Sequence, residues 1–375
     1  MKCFYSLSMV TGLSLLGLVT GTTVNAATCT DQVQEYTVAP GDTLSVITQK
    51  VFGGDADWHL IYEYPGNHAV IGRDPNVLTV GEVLKIPPCP GSVTALPSVE
   101  WESSAPVKNV TAENLPTTQP FDALQPSTIY IVTGDDKPPY VDSDWPQGGL
   151  VTLIVRAAFE AAGLGDKIRI HHVSDWKAQL EELLPDNRYQ LSFGWSMPDM
   201  NFWKDCSRLR ELYQIYCKFE KSDPIVTVSL GFFHEVGRSD LKDKTFEDMA
   251  SMRLCRPEGW STFEMLEHGI ELNNLVRAER VEDCFDKLLA GEVDYVIMNR
   301  FTGVATAHAM GIRDNVRMAS FTVPERIYLL TYKDNPMHTM TYVEKFNEGL
   351  KKIIDNGTYS QITSHYNNEF QNRVR

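Results

Sequence analysis

From about residue 129 onward, short apolar runs alternate with amphipathic stretches, the pattern of strands interleaved with helices. Residues 129–132 read as a strand, 150–162 as an amphipathic helix, 168–173 as a strand, 177–184 as a helix and 190–193 as a strand. A second series follows, with strands at 253–255, 274–278 and 293–298 and helices at 262–269 and 281–289. Such alternation predicts an α/β unit with a largely parallel sheet. Two series in one chain predict two lobes, with a ligand site beyond the carboxyl ends of the strands.

The region before residue 129 has a different rhythm. Lys2 precedes an apolar stretch over 9–19, and the small residues at 24–26 offer cleavage before Ala27, so residues 1–26 read as a secretory signal. Residues 36–38 form a short strand. A turn at Gly41 to Leu44, whose Asp42 or Thr43 can act as the cap, opens a helix running to Val51, a second helix covers 56–64, and a strand closes the unit at 83–87. This βααβ unit spans 34–88. Residues 89–126 hold Pro97, Pro106, Pro116 and Pro120 among Ser, Thr and Val, without helical or strand period. They read as a linker reaching about 30 to 35 Å as a flexible coil. The large domain takes 127–375, with lobe 1 at about 127–228 and 328–375 and lobe 2 at about 229–327.

Charge and cysteines narrow the function. The formal net charge is −15, and losing Lys2, the sole charged residue of 1–26, takes it to −16. That sign disfavours nucleic acid and anionic membrane as partners. No segment after residue 26 supplies the ~20 apolar residues of a membrane span. Cys29 follows Thr28, which disfavours a lipid anchor. The six cysteines after Cys3 are even in number in an exported chain, which favours disulfides. Neighbouring pairs, Cys29–Cys89, Cys206–Cys217 and Cys255–Cys284, would each staple one local unit, although six cysteines allow fifteen pairings. No C-x-x-C pair points to zinc, and no cofactor is implied.

The residues of the small unit resemble the LysM family. The likeness rests on Tyr36 and Val38, Gly41-Asp42-Thr43-Leu44, Phe52-Gly53, Trp58 with Ile61-Tyr62, Asp74-Pro75-Asn76, and Gly81 to Pro87. It departs at Tyr64-Pro65-Gly66-Asn67 and at Val80. The resemblance implies binding of N-acetylglucosamine glycans, peptidoglycan in bacteria, in a shallow groove. Gly41, Asp42, Thr43 and Leu44 would line one side of it, and Asp74, Pro75, Asn76 and Leu78 the other. These residues also serve the fold, Gly41 as a turn and Leu44 as core.

The large domain resembles the periplasmic solute-binding proteins of the amino-acid and polar-compound type, the receptors of ABC importers. Its likeness is carried by Thr133-Gly134-Asp135 with Pro138-Pro139-Tyr140, Gly148-Gly149-Leu150, Lys221-Ser222-Asp223-Pro224-Ile225, the run 289–294, and Phe346-Asn347 with the run 355–359. The resemblance implies a two-lobe type II fold, joined by two hinge strands, that closes over a small ligand. By position, Tyr140, Trp195 and Ser196 of lobe 1 and Ser261, Thr262 and Asn299 of lobe 2 would line the cleft. The helix start at Gly259 to Thr262 would favour an anionic or acceptor group. Relatives that hold free α-amino acids commonly use an arginine for the carboxylate and an acid for the ammonium. Asn299 stands where that acid lies, which implies a polar solute other than an ordinary amino acid, and Arg208 or Arg210 either reaches the cleft or faces solvent.

An exported, periplasmic and wall-associated binding protein is therefore expected, with peptidoglycan, a small polar solute and an ABC permease as partners and no catalysis. A wall-held sensor or scaffold is the alternative. A cell-wall hydrolase is the rival class, but about nine residues follow the solute-binding pattern, and G-x-S-x-G, H-E-x-x-H and P-loop spacings do not occur. His171 and His172 lie in a strand, where neighbours face opposite ways and chelate poorly.

Overall fold

The structure is a computed structural model that describes residues 30, 32–53, 58–62, 64, 66–71, 78–87, 128–241, 244–335 and 339–374. The segments read as a secretory signal and as a linker, with Cys29, Cys89, Asp74, Pro75 and Asn76, lie outside the described residues.

In the small unit, β1 (Gln34–Thr37) pairs antiparallel with β2 (Val83–Ile86), Tyr36 facing Leu84. Between them run α1 (Leu44–Phe52), α2 (His59–Tyr62) and α3 (Asn67–Ile71). One expected helix over 56–64 is thus a shorter one, followed by a third segment that the pattern missed. Asn67 explains the third segment. Its side chain is buried, donates to Ile61 O (2.6 Å) and Lys85 O (2.7 Å), and accepts from Lys85 N (2.8 Å). A buried amide of this kind ties α2 to β2 by satisfying their backbone groups. Val38, Leu44, Ile47, Ile61, Tyr62 and Leu84 fill the core beneath.

The large domain is built on one nine-stranded sheet. Its strands are β3 (Ile129–Thr133), β4 (Ile168–His172), β5 (Leu191–Ser196), β6 (Phe219–Lys221), β7 (Val226–Glu235), β8 (Leu254–Pro257), β9 (Leu275–Ala278), β10 (Tyr295–Asn299) and β11 (Val316–Tyr332). The order is β4-β3-β5-β11-β7-β10-β8-β9, with β6 also on β11. Strands β4, β3 and β5 are mutually parallel, as are β9, β8 and β10. Each trio is the sheet of one lobe. The long strands β7 and β11 are antiparallel to their neighbours and join the trios. β11 follows β7 from Val316 to Ile327, and from Ile327 it pairs with β5. The sheet is therefore mixed where a largely parallel one was expected, because the two crossing strands must run back between the lobes.

Helices cover the faces. In lobe 1, α4 (Leu150–Ala161) is buried almost throughout beneath α10 (Met340–Asp355) and α11 (Thr358–Arg373). Gly349 of α10 makes the close crossing possible, since a Cβ there would lie 1.9 Å from Ala158 O of α4. The predicted helix at 177–184 starts as α5 (Trp176–Ala178) and continues as a wider π turn over Gln179–Leu183. The short α6 (Met200–Trp203) follows β5. Lobe 2 carries α7 (Phe263–Glu267), α8 (Val281–Leu289) and α9 (Arg300–Ala309). Along α8, Val281, Cys284, Phe285 and Leu288 recur at helical spacing and all face the core. Among the described residues no helix is long and apolar enough to cross a membrane.

Two disulfides form as neighbouring pairs. Cys255–Cys284 staples β8 to α8, and Cys206–Cys217 closes a segment of short 3-10 turns that carries Tyr213 and Tyr216. Removing both cysteines of the Cys255–Cys284 bridge, which closes a separation of 29 residues, is expected to cost about 3 kcal/mol in urea unfolding.

Asp294, just before β10, accepts from Arg253 N (2.9 Å), Arg253 Nη2 (2.8 Å) and Arg238 Nη1 (3.1 Å). The Arg253 hydrogen bonds lead in holding its carboxyl down to about 2. A depressed carboxyl stabilises the fold above its ordinary pKa, and that contribution fades as pH falls toward 2. Asp294→Asn should therefore lower stability by about 1 kcal/mol at pH 7, the half-exposed arginines screening the rest. Parent and variant should converge in acid-unfolding curves near pH 2.

Candidate functional site

The carboxyl ends of β3, β5, β8 and β10 converge where the lobes face each other. Trp176 covers the lobe 1 side. It lies against Gly134 and Gly194, where a Cβ would come within 2.1 and 2.9 Å of its ring. Asp175 caps its helix by accepting from Ala178 N (3.0 Å), and the indole N–H donates to Asp136 Oδ1 (3.1 Å). Trp195 meets Trp176 edge-on at 4.9 Å and donates to Ser192 Oγ (2.7 Å). From lobe 2 comes Trp260, next to Gly259 at φ +75°.

Lys137 reaches between these walls. Its Nζ lies 3.7 Å from the Trp176 ring centre and 5.4 Å from that of Trp260, a cation held on two aromatic faces. Burial pushes the ammonium below its usual range, and the negative charge of Asp136 opposes that shift. Behind it, Arg256 is only 1% exposed. It donates from Nε to Ser261 O (2.6 Å) and stands 3.8 Å from Glu325 Oε1. Asn299 Nδ2 donates to the other oxygen of Glu325 (2.6 Å). This inner compartment encloses about 30 Å³, room for about two waters.

A hydrogen-bonded wall separates it from a second compartment. Ser196 Oγ of lobe 1 and Ser261 Oγ of lobe 2 are 2.9 Å apart, and Ser261 donates onward to Glu264 Oε1 (2.8 Å). Burial raises the Glu264 carboxyl, and the charge of Glu325 adds to the effect. Beyond the wall lies a chamber of about 330 Å³ between Asp199 and Asn201 of lobe 1, Glu264 and Glu267 of lobe 2, and Arg326 of β11. Glu267 Oε1 accepts from Asp199 N (2.8 Å) and Trp203 Nε1 (2.7 Å), a second latch between the lobes. A third is Thr302 Oγ1 donating to Pro138 O (2.8 Å).

Several sequence-derived site residues are redirected by this geometry. Trp195, Ser196, Ser261 and Asn299 line the inner compartment. Tyr140 does not. The chain turns at 137–141, with Tyr140 N donating to Lys137 O (2.8 Å), so that Lys137 faces the cleft while the Tyr140 ring joins the lobe 1 core beside Phe301. The helix start at Gly259 to Thr262 is no open anion site either. Thr262 N donates to Tyr213 Oη (3.1 Å), and the hydroxyls of Thr262 and Tyr213 also bond. Arg208 faces solvent with Asp205, and Arg210 is exposed. The buried cation is Arg256, and the acid absent at Asn299 stands at Glu325 on β11. Arg256 was findable, since it lies near the carboxyl end of a strand where such sheets hold ligands. Glu325 was hidden in a long strand whose crossing of the cleft is a tertiary fact.

In the small unit, the structure gives fold roles to the residues of the loop after β1. Gly41 has φ +84°, Thr43 caps α1 by accepting from Val46 N (3.2 Å), and Leu44 is core. Asp42 accepts from Ala39 N (2.9 Å), from Tyr36 Oη (2.8 Å) and from Lys50 Nζ (2.5 Å). Leu78 packs against the same core. His171 Nδ1 meets Tyr189 Oη (2.9 Å), whereas His172 Nδ1 meets Gly134 O (3.0 Å) and Asp135 Oδ1 (3.2 Å), so the two rings serve opposite faces.

Asn299→Asp would set a carboxylate at hydrogen-bonding distance from Glu325. We expect a loss of about 2 kcal/mol at pH 7 by urea unfolding. Because the folded state raises the pKa of such a pair, the loss should shrink as pH falls and one carboxyl takes a proton.

No family model matches the chain, and no curated protein matches it. Among solved structures it is similar to a histidine kinase sensor domain with similarity to periplasmic binding proteins, at 18% identity over 64% of this chain and 95% of that one, with a TM-score of 0.50. It also matches an ancestral arginine-binding protein bound to arginine, at 18% identity over 64% and 98% of the two chains and a TM-score of 0.48. The substrate binding protein of an amino acid ABC transporter matches at 17% identity over 64% and 98%, with a TM-score of 0.46. The likeness is one of fold: the large domain has the two-lobe α/β architecture of the periplasmic binding proteins.

Proposed function

We propose that this protein is an exported, non-catalytic capture protein. The large domain takes up a small polar solute between its lobes and hands it to an ABC permease, and the small unit holds the protein to peptidoglycan. One observation carries the capture reading. The two lobes share one sheet through β7 and β11 and meet over buried charged and hydroxyl groups, including Arg256, Glu325, Ser196 and Ser261, set beside the aromatic contacts of Phe263 and Phe301 with lobe 1. Closure of that kind rests in part on polar contacts that solvent or solute can replace. The two disulfides fit an oxidising compartment.

The wall-attachment reading is supported by the motif order of the small unit and by its separate core. A sensing role is a second reading, favoured by the likeness to a sensor domain. Capture is common to both, and they differ in whether a permease or a signalling partner reads the closed state.

Two measurements test the proposal. A fragment of residues 27–95 should sediment with insoluble peptidoglycan while residues 127–375 stay in the supernatant, and failure of the fragment to sediment removes the attachment role. For capture, the full chain should be screened against sugars, organic acids, amines and amphoteric solutes. At least one solute should raise the Tm by several degrees and compact the large domain in small-angle scattering. A chain that responds to none is not a capture protein.

A further inference from the structure

The two compartments differ in what they leave unsatisfied. In the inner one the polar groups answer one another, with Arg256 between Ser261 O and Glu325, Asn299 on Glu325, and the Lys137 ammonium on Trp176 and Trp260. Its volume is about 30 Å³, well below the size of a small-molecule site, and the Lys137 side chain lines it. The outer chamber is the reverse. At about 330 Å³ it falls in the size range of small-molecule sites. Glu264 is only 4% exposed, and while Oε1 accepts from Ser261, Oε2 is buried with no hydrogen-bond partner among the described residues. A buried acceptor in that condition is costly unless a ligand or a proton meets it. On the hinge side stand two cations, Lys221 and Arg326, neither in a salt bridge among the described residues, with Arg326 bonded to the Tyr328 hydroxyl. Lys221 Nζ lies 4.4 Å from the ring centre of Tyr328, which also lines the chamber.

We infer that the solute is held in the outer chamber, and that it is a small amphoteric molecule whose amine meets Glu264 and whose anionic group meets Lys221 and Arg326. The inference rests on the capture reading and moves the site away from the small compartment that Lys137 lines. Glu264 belongs to lobe 2, Lys221 to lobe 1 and Arg326 to the crossing strand β11, so a solute with charges at both ends touches all three bodies at once. A plain amine or a plain acid would engage one side and leave the other unmet. Differential contact of this kind favours the closed arrangement over the open one.

The test uses the full chain and a length series of ω-amino acids, from glycine to 6-aminohexanoate, with the alkylamine and the alkanoate of matching length, measured by calorimetry. At least one ω-amino acid should bind, at least tenfold more tightly than its matched amine or acid. Glu264→Gln should weaken that binding at least tenfold, as should Lys221→Met with Arg326→Met, with each Tm kept within a few degrees of the parent. Lys137→Met, which alters the inner compartment, should change it less than threefold. Binding that survives the outer substitutions and is lost on Lys137→Met would place the solute in the inner compartment and overturn the inference. If no ω-amino acid binds while another solute closes the lobes, the amphoteric chemistry is wrong and capture stands. If no solute of any class closes them, capture itself fails.

Discussion

Arg256 is almost wholly buried at the meeting of two lobes, and the cleft is organised around the need to compensate it. A buried guanidinium without an anion is costly enough to shift a domain's stability by several kcal/mol. Glu325 supplies the anion from β11, Asn299 holds the second oxygen of that carboxylate, and the carbonyls of Ser261 and Ile297 take guanidinium N–H groups. Those partners come from β10, from β11 and from the loop before α7. One charge thus fixes the relative position of three elements, and with them Ser261, whose hydroxyl reaches lobe 1.

The crossing strands make this arrangement possible. Because β11 changes partner at Ile327, residues a few positions apart belong to different lobes' sheets, and Glu325 and Arg326 stand at the seam. Side chains of adjacent strand residues point to opposite faces. Glu325 lines the inner compartment and Arg326 the outer chamber, which is how one short stretch serves both. The Ser196–Ser261–Glu264 chain is the partition between them.

The segment before β6 shows how an irregular stretch becomes part of a site. Residues 206–218 form 3-10 turns rather than an α-helix, and Cys206–Cys217 closes them into a compact turn that sets Tyr213 on Thr262 and Tyr216 against Trp195 and Phe263. A covalent clamp replaces the core that so short a segment cannot build.

Short apolar runs and helical spacing in the sequence marked the six parallel strands of the two lobes and helices α4, α5, α7 and α8, because each can be read over a few neighbouring residues, whereas the crossing strands and α9 to α11 were not read. The helix at Val281–Leu289 and the strands about Ile129 and Ile168 follow from that rule alone, and cysteine order anticipated the two bridges seen among the described residues. Trp195, Ser196, Ser261 and Asn299 were legible as cleft residues because they sit at strand ends or a helix start. Only the tertiary structure decided that Lys137 rather than Tyr140 enters the cleft, that Arg256 and Glu325 form its ion pair, and that Glu264 faces a second chamber. A turn's direction and the pairing of charges 69 positions apart in the chain (256 and 325) leave no local period, since both are settled by which surfaces the folded lobes bring together.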